Sequence, residues 1–244
     1  MLKNAVQINK KAKLIILDNI EQIATETAQY FYEIATQISF KKNMFSVALS
    51  GGQTPKLIYE KISQNYKEKI DWEKMWLFWS DERAVPFSSN QSNYNLAMQA
   101  GFKDMPIPKN QIFRMQTEHN LEKAAKNYED LIKTHLKKDL FDLVLLGLGV
   151  DGHTASLFPD TTALQEKKKL VVSNYIPKLK THRLTLTYPC INNSKNILVI
   201  AYGEDKKEIV KNVLLDNKNY PSNFIGTENN NAYWIIDKKA ASLL

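Results

Sequence analysis

Phe141-Asp142-Leu143-Val144-Leu145-Leu146 runs directly into Gly147-Leu148-Gly149-Val150-Asp151-Gly152-His153-Thr154-Ala155-Ser156. The first segment is a strand with apolar residues on both faces, as a parallel sheet covered on both sides requires. The second is a glycine-rich loop at the strand's carboxyl end. Working outward, Lys13–Leu17, Phe45–Leu49, Met75–Trp79, Arg183–Thr187, Asn196–Ala201 and Ala232–Ile236 also read as strands. Between them lie helical patterns. Ile20, Ile23, Thr27, Tyr30, Phe31, Ile34 and Ile38 repeat at helical spacing. Asp18-Asn19-Ile20-Glu21 before them resembles a capping box with Asp18 as N-cap. A helix is expected near Pro55, with others over Ser92–Ala100, Leu121–Leu136 and Glu204–Leu215. The alternation predicts an α/β fold: three layers, α/β/α, around an open, mostly parallel sheet that is Rossmann-like and doubly wound. No linker, repeat or composition break divides the chain, so residues 1–244 read as one domain.

Composition narrows the function. Of 244 residues, 43% are hydrophobic and 24% charged, an ordinary globular balance. The formal charge is +7, from 33 basic and 26 acidic residues. The lysines are scattered in short clusters such as Lys10, Lys11 and Lys13 or Lys167, Lys168 and Lys169, not in a basic stripe with aromatics. That distribution reads as a solvated surface, not a nucleic-acid footprint. Cys190 is the one cysteine, which excludes a disulfide framework and a thiolate metal site. The apolar run Leu14–Leu17 is too short for a signal or a membrane span, and no later stretch is long enough. A reducing, cytoplasmic setting follows as the expectation. Arginine occurs only at Arg83, Arg114 and Arg183, and glycine only eight times. Where such a chain keeps arginine and glycine is therefore informative.

In an open α/β sheet the ligand sits outside the carboxyl ends of the strands. Ser50-Gly51-Gly52-Gln53-Thr54-Pro55 follows one strand and opens a helix, so its glycines and free N–H groups suit an anion such as phosphate. It lacks the Walker A pattern. Ser80-Asp81-Glu82-Arg83-Ala84-Val85-Pro86 follows the next strand and holds one of the three arginines, whose planar fork suits a carboxylate, phosphate or oxyanion. Ser92-Asn93 lies at an expected helix start, where a cap is its simplest use.

The loop over residues 147–156 literally matches G-x-G-x-x-G. The acidic ribose ligand that a dinucleotide site needs is missing around Val171–Tyr175, so no nicotinamide cofactor is expected. Asp151 and His153 read better as an orienting carboxylate and a general base, with His153 at a helix start. His119, His135 and His182 are isolated, so no metal site is expected. Neither Ser50 nor Ser156 stands in a nucleophile elbow. Lys178, Arg183 and Lys206 lie near later strand ends; Arg114 has no evident role.

Together these segments resemble the 6-phosphogluconolactonase family, in order and spacing along nearly the whole chain. The family's S-G-G-x-T-P is Ser50–Pro55, its D-E-R-x-V-P with S-N is Asp81–Pro86 with Ser92-Asn93, and its G-x-G-x-D-G-H-T-A-S-L-F-P is Gly147–Pro159. Two positions depart: Leu179-Lys180 replaces Pro-Pro, and Asp160 replaces a small residue. The resemblance implies hydrolysis of 6-phosphoglucono-δ-lactone in the oxidative pentose phosphate pathway, without cofactor or metal. It implies His153 as base, Asp151 as its orienting partner, and Arg83 on the tetrahedral intermediate or the sugar hydroxyls. The phosphate would lie on Gly51, Gly52, Gln53 and Thr54 with Arg183, Lys206 and Lys178, and Asp81 would line the substrate site. The implied partner is a phosphorylated sugar lactone, not nucleic acid or membrane, with the chain a monomer or small homo-oligomer. The related glucosamine-6-phosphate deaminases place a Glu after the D-G-H loop and an aromatic after D-E; this chain has neither. A sugar-phosphate-sensing regulator on the same fold would carry an N-terminal helix-turn-helix, for which a strand beginning at residue 13 leaves no room.

Overall fold

Each apolar run becomes a strand in the computed structural model, which describes residues 2–136, 140–216 and 218–244. The strands are β1 (Val6–Asn9), β2 (Ala12–Leu17), β3 (Phe45–Leu49), β4 (Met75–Trp79), β5 (Asp81–Arg83), β6 (Leu143–Gly147), β7 (Val171–Ile176), β8 (Thr181–Leu186), β9 (Ile197–Ala201) and β10 (Ala232–Asp237). The helices are α1 (Ile20–Lys42), α2 (Gln53–Tyr66), α3 (Asn93–Gln99), α4 (Leu121–His135), α5 (Tyr188–Asn192) and α6 (Lys207–Leu214). Seven strands form one sheet in the order β1-β2-β10-β9-β6-β3-β4. It is parallel except for β1, which pairs antiparallel to β2 at the edge.

Alternate side chains of each central strand enter two separate cores. Val47, Leu49, Leu143, Leu145, Leu198, Ile200 and Ile235 pack with α1, α2 and α3. Ala48, Val144, Leu146, Val199, Trp234 and Ile236 pack with α4, α5 and α6. This is the doubly covered sheet that the apolar runs imply, since a strand buried on both faces has no polar alternation. The sheet's inner end is tied by Asp142, whose carboxylate takes Lys42 Nζ at 2.7 Å and the backbone N and Oγ of Ser46 at 3.1 Å each. The strand order reverses between β3 and β6, so a crevice opens at their carboxyl ends. No described helix is long and apolar enough to cross a membrane.

Several local expectations are corrected. Asn19, not Asp18, caps α1: its side chain accepts from Gln22 N at 3.0 Å, and Gln22 Oε1 accepts from Asp18 N. The competing cap lies one residue on. Asp81–Arg83 is not loop but strand β5. It pairs with β8, which pairs with β7, in a second, antiparallel sheet of three strands. The run at Arg183 therefore does not join the main sheet; Leu184, Leu186 and Val171 cover the face that also carries α4. No helix starts at His153: residues 150–160 form turns, and the next helical turn is at Thr162–Gln165. Glu204–Leu215 opens as a 3-10 turn before α6 begins at Lys207.

Candidate active site

Four strand ends converge on one cleft of about 370 Å³. Its walls are residues 50–55 after β3, Asp81 and Arg83 on β5, Gly147–Gly149 and His153 after β6, and Tyr202, Asp205 and Lys206 after β9, with Asn93 and Arg183. The structure thus brings together Gly51, Gly52, Gln53, Thr54, Asp81, Arg83, His153, Arg183 and Lys206. Asp151 stands behind His153, and Lys178 is not among the lining residues.

His153 Nδ1 lies 2.5 Å from Asp151 Oδ1, and the His153 backbone N–H also donates to that oxygen at 3.3 Å. Hydrogen bonding to His153 holds the Asp151 carboxyl well below the usual carboxylate range, against the effect of its burial; the charges of His153 and Lys178 add to this. Asp151 is therefore a carboxylate, Nδ1 carries the proton, and Nε2 is the ring nitrogen left to accept one. Phe158 stacks on the imidazole, centroids 3.9 Å apart and planes 13° apart, which fixes the ring plane. Gly149 is needed for this pair: a Cβ there would sit 2.0 Å from His153 Nδ1. Lys178 Nζ lies 3.6 Å from Asp151 Oδ2 and its side chain is 71% exposed, so its observed partner is Asp151.

The histidine loop is held through Ser156, which is buried. Its hydroxyl donates to Asp81 Oδ2 on β5 at 2.7 Å. Its N–H donates to Thr185 Oγ1 on β8 at 3.1 Å, and its C=O accepts from Asn174 Nδ2 on β7 at 2.9 Å. Each strand of the small sheet supplies one of these bonds. Ser156 is thus a pin, with its hydroxyl already committed.

Arg83 and Arg183 are directly opposite in the β5–β8 register. Two like charges so placed repel unless an anion lies with them. Arg83 Nη1 donates to Gln91 O at 2.6 Å, Arg183 Nη1 lies 3.9 Å from Asp81 Oδ2, and both Nε atoms are buried without a protein partner. Burial lowers the Arg183 pKa from its ordinary value; Asp81 opposes the shift and Arg83 adds to it. The charge is retained, because arginine starts so far above neutrality. Lys206 is a third cation at the cleft, 3.6 Å from Asp205 Oδ2.

On the facing wall, Gly52 is the N-cap of α2 at φ 106 and offers no side-chain cap, leaving the first N–H groups of the helix for an anion. Tyr59 fixes the loop's start, its hydroxyl accepting from Ser50 N at 2.9 Å and donating to Ser50 O at 2.7 Å.

Glu82 does not pair with Arg83 as a charge. Its buried carboxylate accepts from the N–H of Arg83 (2.8 Å), Asn93 (2.7 Å) and Tyr94 (2.8 Å) and from Ser92 Oγ (3.0 Å). Burial raises its pKa above the usual value, opposed by those backbone donors. Ser92 caps α3 as expected, through Asn95 N at 3.1 Å. Sequence reasoning missed Phe158 as the stacking wall, Ser156 as the pin and Asn93 as a cleft residue; all three lie inside the long motifs, which was the available signal. Among the described residues, no group of three or more His, Cys, Asp or Glu side chains is arranged to hold a metal ion.

Against known proteins, residues 18–234 match the family model for glucosamine-6-phosphate isomerases/6-phosphogluconolactonase. The chain is 40% identical to a 6-phosphogluconolactonase of Chlamydia pneumoniae, over 96% of this chain and 92% of that one. Among solved structures it is similar to 6-phosphogluconolactonase from Thermotoga maritima, at 29% identity and TM-score 0.82, covering 93% of this chain and 100% of that one. The enzyme from Trypanosoma brucei matches at 28% identity and TM-score 0.85, covering 95% and 98%.

Proposed function

The chain belongs to the glucosamine-6-phosphate isomerase/6-phosphogluconolactonase family and is a hydrolase of 6-phosphogluconolactone in the pentose phosphate pathway, and we propose that it works by general-base activation of water at His153. The observation that carries this reading is the Asp151–His153 pair, which leaves Nε2 as a base beside a cleft lined by Arg83, Arg183 and Lys206.

A lactone is an activated ester, so a positioned water suffices and no covalent intermediate is required. His153 Nε2 takes a proton as the water oxygen bonds to C1. Negative charge collects on the former carbonyl oxygen, where Arg83 stabilises it or holds the neighbouring sugar hydroxyls. As C1 parts from the ring oxygen, the imidazolium returns the proton to that oxygen, and the new carboxyl group ionises in solution. Asp151 keeps Nδ1 protonated and offsets the imidazolium charge. The 6-phosphate lies on Gly51, Gly52, Gln53 and Thr54, countered by Arg183 and Lys206. Holding the distant phosphate fixes C1 against the base, which is where orientation gains its effect. Lys178 faces Asp151, where its charge adds a small contribution to the effect of His153. Asp81 has its oxygens occupied by Ser156 and Asn93, so it positions the site. The soluble substrate and the single, buried Cys190 suit a cytoplasmic enzyme.

The test is a lactonase assay beside a deaminase assay. The purified chain is expected to accelerate loss of 6-phosphogluconolactone over its spontaneous hydrolysis, without added metal, and to release no ammonia from glucosamine 6-phosphate. No acceleration overturns the function. Ammonia release would favour the deaminase, yet no carboxylate other than Asp151 is hydrogen-bonded to His153 among the described residues.

A second expectation concerns Arg183. Arg183→Ala raises KM for the phosphorylated lactone by about tenfold or more, since a bond between charged groups is lost. Unphosphorylated gluconolactone is turned over as before. An equal effect on both lactones counts against the phosphate role.

A further inference from the structure

Asn93 is 1% exposed yet lines the cleft. Its amide orientation is fixed chemically. Nδ2 faces two acceptors, Asp81 O at 2.9 Å and Asp81 Oδ1 at 3.0 Å, so the NH₂ group must point there and Oδ1 must point away. Oδ1 is buried and has no protein partner. It borders Gly51: a Cβ built on that glycine would sit 1.8 Å from Oδ1. The backbone of Asn93 is held as firmly, its N–H donating to Glu82 Oε1 at 2.7 Å. A rigid, buried, unpaired acceptor thus stands at the cleft wall beside the glycine loop.

A buried acceptor without a donor is costly, so the bound ligand is the expected donor. Phosphate is the wrong group, because its oxygens accept and a second acceptor repels them. In a 6-phosphorylated δ-lactone the carbonyl and ring oxygens are also acceptors only. The donors are the hydroxyls on C2, C3 and C4. We infer that Asn93 Oδ1 accepts a hydrogen bond from one sugar hydroxyl of the lactone, making Asn93 a specificity-determining residue for hydroxylated substrates. The inference rests on the lactonase reading and deepens it. The same amide ties the hydroxyl to Asp81, whose other oxygen holds Ser156 of the histidine loop. Recognition of the sugar and alignment of the base are therefore mechanically linked.

The test crosses Asn93→Ala with the parent lactone and its 2-, 3- and 4-deoxy analogues. In the parent enzyme one deoxy analogue loses roughly tenfold or more in kcat/KM. In Asn93→Ala the parent lactone suffers a similar loss, and that analogue loses no further activity, while the other two fall in step with the parent lactone. A merely structural Asn93 predicts the same fractional loss on all four substrates, and that result overturns the inference. If the variant does not fold, the unmodified enzyme crystallised with 6-phosphogluconate decides. A sugar hydroxyl within about 3.2 Å of Oδ1 supports the inference; a phosphate oxygen or no sugar atom there overturns it. Absence of lactone turnover by the unmodified chain sinks the functional reading itself, whereas turnover with uniform losses sinks this inference alone.

Discussion

His153→Ala lowers kcat for 6-phosphogluconolactone by about 10²–10⁴-fold, the usual contribution of a positioned general base, and the protein still unfolds cooperatively. Nδ1 is committed to Asp151 at 2.5 Å, the ring is stacked on Phe158, and Nε2 is the nitrogen left for the substrate side. The loop's anchoring bonds run through the hydroxyls of Ser156 and Thr154, the latter's Oγ1 donating to Gly147 O at 2.8 Å, so the imidazole can be removed without unpinning them. The change should fall on kcat and on kcat/KM together, as expected for an interaction made in the transition state. Stopped assays corrected for spontaneous hydrolysis, with circular dichroism as the fold check, decide it. Unchanged turnover in a folded variant removes His153 from the chemistry. Because Asp151 keeps its charge well below the usual carboxylate range, the acid limb of the rate profile does not report protonation of Asp151.

Glu82→Ala is the second large effect, and it acts through stability. The carboxylate is 3% exposed and satisfies three backbone N–H groups and one hydroxyl. Those donors join β5 to the first turn of α3, so alanine leaves them buried and unpaired. The expected loss is about 3–5 kcal/mol, because bonds to a charged acceptor are the strong ones and orphaned donors carry the desolvation penalty. For a chain of this size that is a fall of roughly 6–20 °C in Tm. Activity per folded molecule falls too, since Arg83 and Asn93 are positioned by the same carboxylate. A urea titration that shows less than about 1 kcal/mol of change would falsify the anchoring role.

The main sheet is legible in the chain because buried parallel strands write themselves as uninterrupted apolar runs, and Phe45–Leu49 and Leu143–Gly147 do so. The loops are legible because glycine and arginine are rare here and cluster where backbone approach or anion binding needs them. The small sheet is not legible. Asp81-Glu82-Arg83 has no apolar alternation, and it becomes a strand only through pairing with β8, far along the chain. The helix start expected at His153 is absent because the loop closes on itself, with Gly149 N donating to His153 O at 2.8 Å. Asn93 has the residue type of a helix cap. Ser92 is the cap instead, and the place of Asn93 at the cleft depends on Gly51 and Asp81, neighbours in space that nothing in the local sequence announces. Lys178 has the composition of a phosphate ligand, and only its distance to Asp151 gives it another partner.

The opposed pair Arg83 and Arg183 also sets when the enzyme becomes competent. Their strands are separated by about a hundred residues, and the pairing must form against charge repulsion. Long-range pairings of this kind close late, after local helices and neighbouring strands have formed. The oxygen that orders Ser156, the wall that holds Asn93 and both guanidinium groups all wait on that closure. Recovered turnover during refolding thus reports closure of the small sheet, and it cannot precede the pairing of β5 with β8.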